Sequence, residues 1–137
     1  MKLMKLLLVL FIAAFTVLAA PRPQEIEEHA GWMKTIQATT GSLRKNIEGK
    51  ASDDIAKDAA KIEEVFKKSE EFWTKRNTED AVKWSQEAQA AAKEIADAAK
   101  GGDMEKASTG MRSLMAKCSA CHGAHRERLP EGGYKIK

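Results

Sequence analysis

Cysteine is scarce in this chain, and its scarcity limits the chemistry open to the protein. Only two of the 137 residues are cysteines, Cys118 and Cys121. A disulfide between residues this close would enclose a very small loop, and a small loop adds little stability because the constraint on the unfolded chain grows with loop length. A structural disulfide is therefore a poor explanation for the pair.

Strand signals, internal repeats and low-complexity linkers are also missing. No run of alternating β-branched residues follows residue 20, so an all-α domain is expected. A basic surface stripe is missing too, because without residues 1–19 the basic and acidic residues are nearly equal in number. The composition therefore gives no indication of nucleic-acid binding.

Long hydrophobic runs are confined to the N-terminus. Lys2 and Lys5 precede an uncharged run over residues 6–20, about 15 residues long. A membrane-spanning helix needs roughly 20 residues, so this run is short for one. No cysteine follows it, which excludes a bacterial lipid anchor at that place.

The end of this run resembles a signal peptidase site, with Val17 and Ala19 at the two small-residue positions. We therefore expect residues 1–19 to be a signal peptide and residues 20–137 to form one domain, with no membrane insertion after cleavage. An uncleaved N-terminal anchor is the alternative.

Apolar residues at spacings of three and four predict four amphipathic helices. In the first segment the inward face consists of His29, Trp32, Met33, Ile36, Thr40, Leu43 and Ile47. Two similar segments follow, and Gly101-Gly102 and Asp103 separate the third from the fourth. In the fourth segment the inward face consists of Met104, Ala107, Met111, Leu114, Cys118, Cys121, His122 and His125. Four such segments joined by short turns predict an antiparallel four-helix bundle.

The sequence C-x-x-C-H over residues 118–122 is typical of c-type haem attachment. On a helix, Cys121 and His122 lie three and four residues beyond Cys118, so the three side chains share one face. Each thiol can add across a haem vinyl group to form a thioether, and the imidazole is then the proximal iron ligand. We therefore expect one covalent haem c.

Two other uses of the cysteine pair fit less well. A thioredoxin-like redox pair would follow a strand, and no strand is predicted. A structural zinc site needs a fourth ligand, usually from a second Cys/His pair, and His29 and His125 do not form one.

A helical bundle with one C-x-x-C-H on its last helix resembles the class II cytochromes c, the cytochrome c′ family. The resemblance covers nearly the whole chain after residue 19. The family commonly continues the motif as C-H-x-x-[YF]-R, and in the sequence CHGAHR Arg126 agrees with this pattern while His125 departs from it.

The resemblance also bears on the sixth iron ligand. Cytochromes c′ proper leave that side of the iron open, whereas their low-spin relatives fill it with a methionine from the first helix, often followed by lysine. Met33-Lys34 stands at that place. We expect Met33 to be the distal ligand, and a purely structural core position is the alternative.

Four further residues are candidate cofactor contacts. Met111 and Met115 are expected to line the haem pocket from the fourth helix. Trp32 is a candidate contact of the ring from the first helix, and a packing position in the core is the favoured alternative. His29 stands where the family often has an arginine near the haem propionates. His29 therefore has three possible roles: it contacts a propionate, it packs in the core, or it binds the iron in place of Met33.

These expectations lead to a periplasmic monohaem electron carrier, with His122 and Met33 on the iron and redox proteins as partners. The alternative is a five-coordinate protein that binds nitric oxide or carbon monoxide. Enzymatic activity is not expected, because no distal acid/base pair is evident beyond His29. Many family members are homodimers, but the exposed faces here are heavily charged, so the oligomeric state stays open.

Overall fold

The computed structural model describes residues 22–137. The expected signal peptide, residues 1–19, lies outside this range. Four α-helices and a two-stranded hairpin follow in order: α1 (Pro23–Glu48), α2 (Ser52–Thr74), α3 (Glu79–Lys100), α4 (Met104–His125), β1 (Arg126–Arg128) and β2 (Tyr134–Ile136).

The four helices form an up-and-down antiparallel bundle, as predicted. Arg76, just beyond α2, donates to Glu25 in the first turn of α1 at 3.1 Å. His125, the last residue of α4, contacts Asp80 at the start of α3. One end of the bundle therefore collects the start of α1, the end of α2, the start of α3 and the end of α4. The C-x-x-C-H motif lies near this end.

The core follows the predicted helix faces. Leu43, Ile55, Ile62, Ile95 and Leu114 are the largest side chains that are fully buried, and together they come from all four helices. At about 1.5–3 kcal/mol for each buried aliphatic side chain, these contacts supply much of the driving force for the bundle. The predicted cap of α4 is also present, because the Asp103 carboxylate accepts from the Lys106 N–H at 2.9 Å.

The helices are not packed equally closely. A Cβ atom on Gly110 in α4 would lie 2.7 Å from Ile95 Cγ1 in α3, so the absence of a side chain allows these two helices to approach. Alanines line much of the buried face of α3 and permit the same close packing against α2. In contrast, α1 and α4 make few contacts with each other. The bundle is therefore open along the seam between its first and last helices.

The C-terminal hairpin was not predicted from the sequence. The turn residues Pro130 and Gly132-Gly133 indicated a helix that continues almost to residue 130, but α4 ends at His125. The chain then reverses, with Arg126 opposite Ile136 in the antiparallel register. Gly132 and Gly133 both have positive φ, 97° and 82°, which residues with a side chain rarely adopt.

Among residues 22–137, none of the helices combines the length and the apolar character that crossing a membrane would require.

Candidate functional site

The last two turns of α4 bring the three motif side chains to one cavity. Cys118, Cys121 and His122 are half-buried and all line it. Both cysteines are free thiols. This placement follows from the helical spacing of three and four residues, which directs the three side chains to the same face.

The cysteine pair lies in an apolar environment that keeps the thiols protonated. Burial raises the pKa of Cys118. Burial, together with the nearby Cys118 and Asp80, raises the pKa of Cys121 to about 11. Because the thiolate is the form that oxidises and exchanges disulfides, the raised pKa values keep both thiols in their less reactive form.

The His122 imidazole is suited to ligate a metal. Burial, and to a smaller extent the positive charge of Arg126, lowers the pKa of His122. The neutral ring therefore predominates near pH 7, and the neutral ring is the form that binds metal ions. Among the described residues 22–137, no group of three or more His, Cys, Asp or Glu side chains could hold a metal ion.

The cavity has a volume of about 650 Å³. This lies within the ~300–1,000 Å³ that is usual for pockets that hold cofactors or other small molecules. All four helices and the hairpin contribute to its walls. The charged residues that line it are cations without exception: Lys34, Lys117, Arg126 and Lys135. A haem, which carries two propionates, therefore fits the cavity in size, in charge and in the donor atoms that α4 presents.

The wall that α1 contributes has an apolar part beside the polar residues His29, Lys34, Gln37 and Thr40. Ile26, Ala30, Met33 and Ile36 line the cavity from this helix. Met33 is half-buried and packs against the main core cluster. The structure thus places Met33 and His122 on the same cavity, from two different helices. Whether the Met33 sulfur binds iron stays a prediction.

His29 lies in a cluster of aromatic rings at the end of this wall. Its ring centroid is 4.3 Å from that of Phe72 and 5.5 Å from that of Trp73. The side chain is buried, and its Nε2 atom has no hydrogen-bond partner. Burial, followed by the charges of Arg76 and His122, lowers the pKa of His29 to about 4. Without a cofactor the ring is therefore neutral, and a contact between His29 and a haem propionate stays a prediction.

Two of the predicted cofactor contacts do not line this cavity. Met111 is buried in the core and borders a separate cavity of about 170 Å³ between α1 and α4. Trp32 packs beside His29 and Phe72, with its ring edge-on to both. Met115, one turn beyond Met111, does line the large cavity. Of the two methionines expected to line the haem pocket, only Met115 lines this cavity, and their contacts with haem stay predictions.

Several cavity residues were not identified from the sequence. Tyr134, Lys135 and Ile136 line it from the hairpin, and Trp84 lines it from α3. The spacing of Trp84 fits the buried face of a helix, so its sequence position alone indicates only packing. The hairpin residues carry no local signal, since their position depends on the reversal of the chain after His125.

Comparison with known proteins points to one family. A family model described as cytochrome C′ matches residues 24–126. A solved structure, a cytochrome c′ described as having an unusual ligand-controlled dimer dissociation, superposes with a TM-score of 0.65. It is 20% identical in sequence, and the match covers 87% of this chain and 100% of that one. No curated protein sequence gives a significant match.

Proposed function

Because the chain belongs to the cytochrome c′ family and binds haem c covalently, we propose that it binds a small neutral gas, such as nitric oxide or carbon monoxide, on the α1 side of the haem. Cys118 and Cys121 are the attachment residues in this proposal, and His122 is the proximal ligand. When bound, the haem supplies an iron atom that coordinates diatomic gases.

The apolar part of the α1 wall is the observation that carries this proposal. Ala30, Met33 and Ile36 present hydrocarbon and thioether surface to the cavity, and such a surface favours a small neutral ligand over water or an anion. His29, the nearest imidazole on this helix, is packed among Phe72 and Trp73. In this proposal Met33 forms part of the wall of the gas site.

An electron carrier is the second candidate, and Met33 is the observation that favours it. The side chain lies on the cavity wall and is only half-buried, so its sulfur is a candidate ligand opposite His122. A histidine–methionine pair would raise the reduction potential and would leave no open site for a gas. Redox proteins would be the partners in that case.

Carbon monoxide distinguishes the two functions. The holoprotein is reduced with dithionite, mixed with carbon monoxide in a stopped-flow instrument and followed in the Soret region. We expect immediate binding in a single phase, with a rate proportional to the gas concentration. A ferrous protein that binds only after a slow, concentration-independent step would show that a side chain must first leave the iron. This result would replace gas binding with the electron-carrier function.

The effect of carbon monoxide on the oligomeric state should be tested together with gas binding. The solved relative is described as a dimer whose dissociation is controlled by a ligand. Size-exclusion chromatography of this protein with and without carbon monoxide tests whether a homodimer forms and whether the gas changes it.

We also propose that the protein is periplasmic and that residues 1–19 are removed on export. The uncharged run and the small residues at positions 17 and 19 support this location. Mass spectrometry of the mature holoprotein, purified from a periplasmic extract, would give its first residue. A chain that starts at Met1 and remains with the membrane fraction would contradict the proposal.

A further inference from the structure

The hairpin that follows α4 lies almost wholly beyond the part of the chain that the family model matches. That match ends at residue 126. Strand β1 begins at the same residue, and strand β2 ends at Ile136. The hairpin nevertheless contributes Tyr134, Lys135 and Ile136 to the haem cavity. The hairpin is therefore a wall of the cavity that lies outside the family-model match.

Ile136 attaches the hairpin to the helices. Its half-buried side chain packs against the cluster of Phe72, Trp73 and Ala81 at the end of the bundle. Cys121 packs against the same cluster. Ile136 and Cys121, one of the two haem-attachment residues, therefore share this cluster and both line the cavity.

Two further contacts hold the hairpin in this position. The Lys137 N–H donates to the His125 carbonyl at 3.0 Å, which ties the end of the chain back to the end of α4. The guanidinium of Arg126 lies 3.8 Å from the centre of the Tyr134 ring, a cation–π contact between the strands. Arg126 is also one of the groups that lower the pKa of His122. The two strands are therefore joined both to α4 and to each other next to the haem-binding motif.

We propose that the C-terminal hairpin is a haem-binding element, in which Ile136, supported by Tyr134, covers the cofactor beside Cys121 and excludes water from that part of the cavity. The inference rests on the presence of haem c. It does not depend on whether the iron binds a gas or a methionine.

The proposal predicts a shift in reduction potential. Oxidation of the haem iron adds a positive charge, and water stabilises that charge better than an apolar wall does. Removal of the wall should therefore favour the ferric state and lower the reduction potential. It should also expose the haem to small oxidants in solution.

Ile136→Ser is the variant that tests the wall. It removes the apolar side chain without changing the charge of the protein. Glu131→Ser, in the exposed turn outside the cavity, is the control. A chain that ends at Arg126 removes the whole remainder of the hairpin. For each holoprotein we would measure the covalent haem content, the helical circular dichroism, the reduction potential and the rate of oxidation by ferricyanide at high salt, where charge effects on the rate are screened.

We expect Ile136→Ser to retain covalent haem and helical content, to have a lower reduction potential and to be oxidised several-fold faster than the parent. The truncated chain should show the same changes to a larger extent, and Glu131→Ser should match the parent. Unchanged potential and oxidation rate in Ile136→Ser would overturn the proposal, even if the truncated chain fails to fold. Carbon monoxide binding by the parent tests only the proposed gas-binding function. The proposed role of the hairpin and the proposed function can therefore fail independently.

Discussion

His125 Nε2 lies 2.9 Å from Asp80 Oδ1, and this contact joins the last residue of α4 to the first turn of α3. The imidazole also packs beside Trp73 and Trp84, with ring centroids 5.1 Å and 6.1 Å away. His125 is the residue at which the chain departs from the aromatic residue common in the family. The histidine thus keeps the ring packing and adds a polar contact to a neighbouring helix.

A double-mutant cycle of Asp80→Ala and His125→Phe should measure this added contact. Phenylalanine retains an aromatic ring but cannot hydrogen-bond, so we expect a coupling free energy of about 0.5–1.5 kcal/mol in urea unfolding of the holoprotein. The exposed pair Glu127 and Lys135, 3.2 Å apart, is the control and should give less than about 0.5 kcal/mol. Equal coupling free energies in the two pairs would show that the His125–Asp80 contact stabilises the protein no more than an exposed ion pair does.

Replacement of Cys118 and Cys121 together with serine should abolish covalent attachment of haem, because the chain has no other thiol. The measurement is extraction with acidified acetone, which removes haem unless a thioether holds it. Each single serine variant should keep part of its haem through the remaining thioether. Haem that stays with the double variant after extraction would show that another residue forms the bond.

The Met33→Ala variant tests the role of the α1 wall. If Met33 belongs only to the wall, we expect the ferric spin state to stay as in the parent. Carbon monoxide should bind faster, because removal of the side chain enlarges the space on that side of the haem. Absorption and electron paramagnetic resonance spectra report the spin state. A change from low-spin to high-spin iron would instead identify Met33 as the sixth ligand and support the electron carrier.

His29→Ala is the matched variant for Met33→Ala, since both residues line the cavity from α1 one helical turn apart. We expect His29→Ala to leave the spin state unchanged and to destabilise the fold by about 2–4 kcal/mol, because it removes a buried ring from the Phe72 and Trp73 cluster. Loss of a low-spin spectrum in this variant alone would mean that the iron has two histidine ligands.

Gly110→Ala should destabilise the protein. The added methyl group would lie 2.7 Å from Ile95 Cγ1, and Ile95 is fully buried and has no room to move. The resulting strain, about 1–3 kcal/mol, exceeds the ~0.5–1 kcal/mol that alanine gains over glycine within a helix. Gly41→Ala is the control, because no atom lies within 4 Å of its added Cβ, and it should be neutral or stabilising. Thermal unfolding of the holoproteins compares the two. A Gly110→Ala protein as stable as Gly41→Ala would show that α3 and α4 can separate locally.

Much of the fold could be predicted because helix periodicity is a local property. The spacing of Ile55, Ile62 and Ile95 within their segments identifies the faces that the bundle buries. The end of α4 could not be predicted in this way. The helix stops at His125, and the carbonyl of that residue accepts from Lys137, which is distant in sequence. A local pattern contains no information about such a contact.

Local sequence patterns also predicted only part of the candidate site. Cys118, Cys121 and His122 were identified because their spacing is required by the chemistry of attachment. Met111 and Met115 have the same periodicity, but periodicity gives the face of a helix and not the depth along the bundle at which the cavity begins. The large cavity does not extend along α4 as far as Met111, so only Met115 lines it.

The unequal packing of the helices has a consequence for the place of the haem in the bundle. Helices α2, α3 and α4 are in close contact, and the two thiols and His122 are all on the last of them. These three helices form a scaffold that presents the attachment residues, while α1 packs chiefly on α2 and leaves the α1–α4 seam sparsely packed. The cavity is lined from both α1 and α4, so a haem held by the thiols of α4 would lie where these two helices contact each other least.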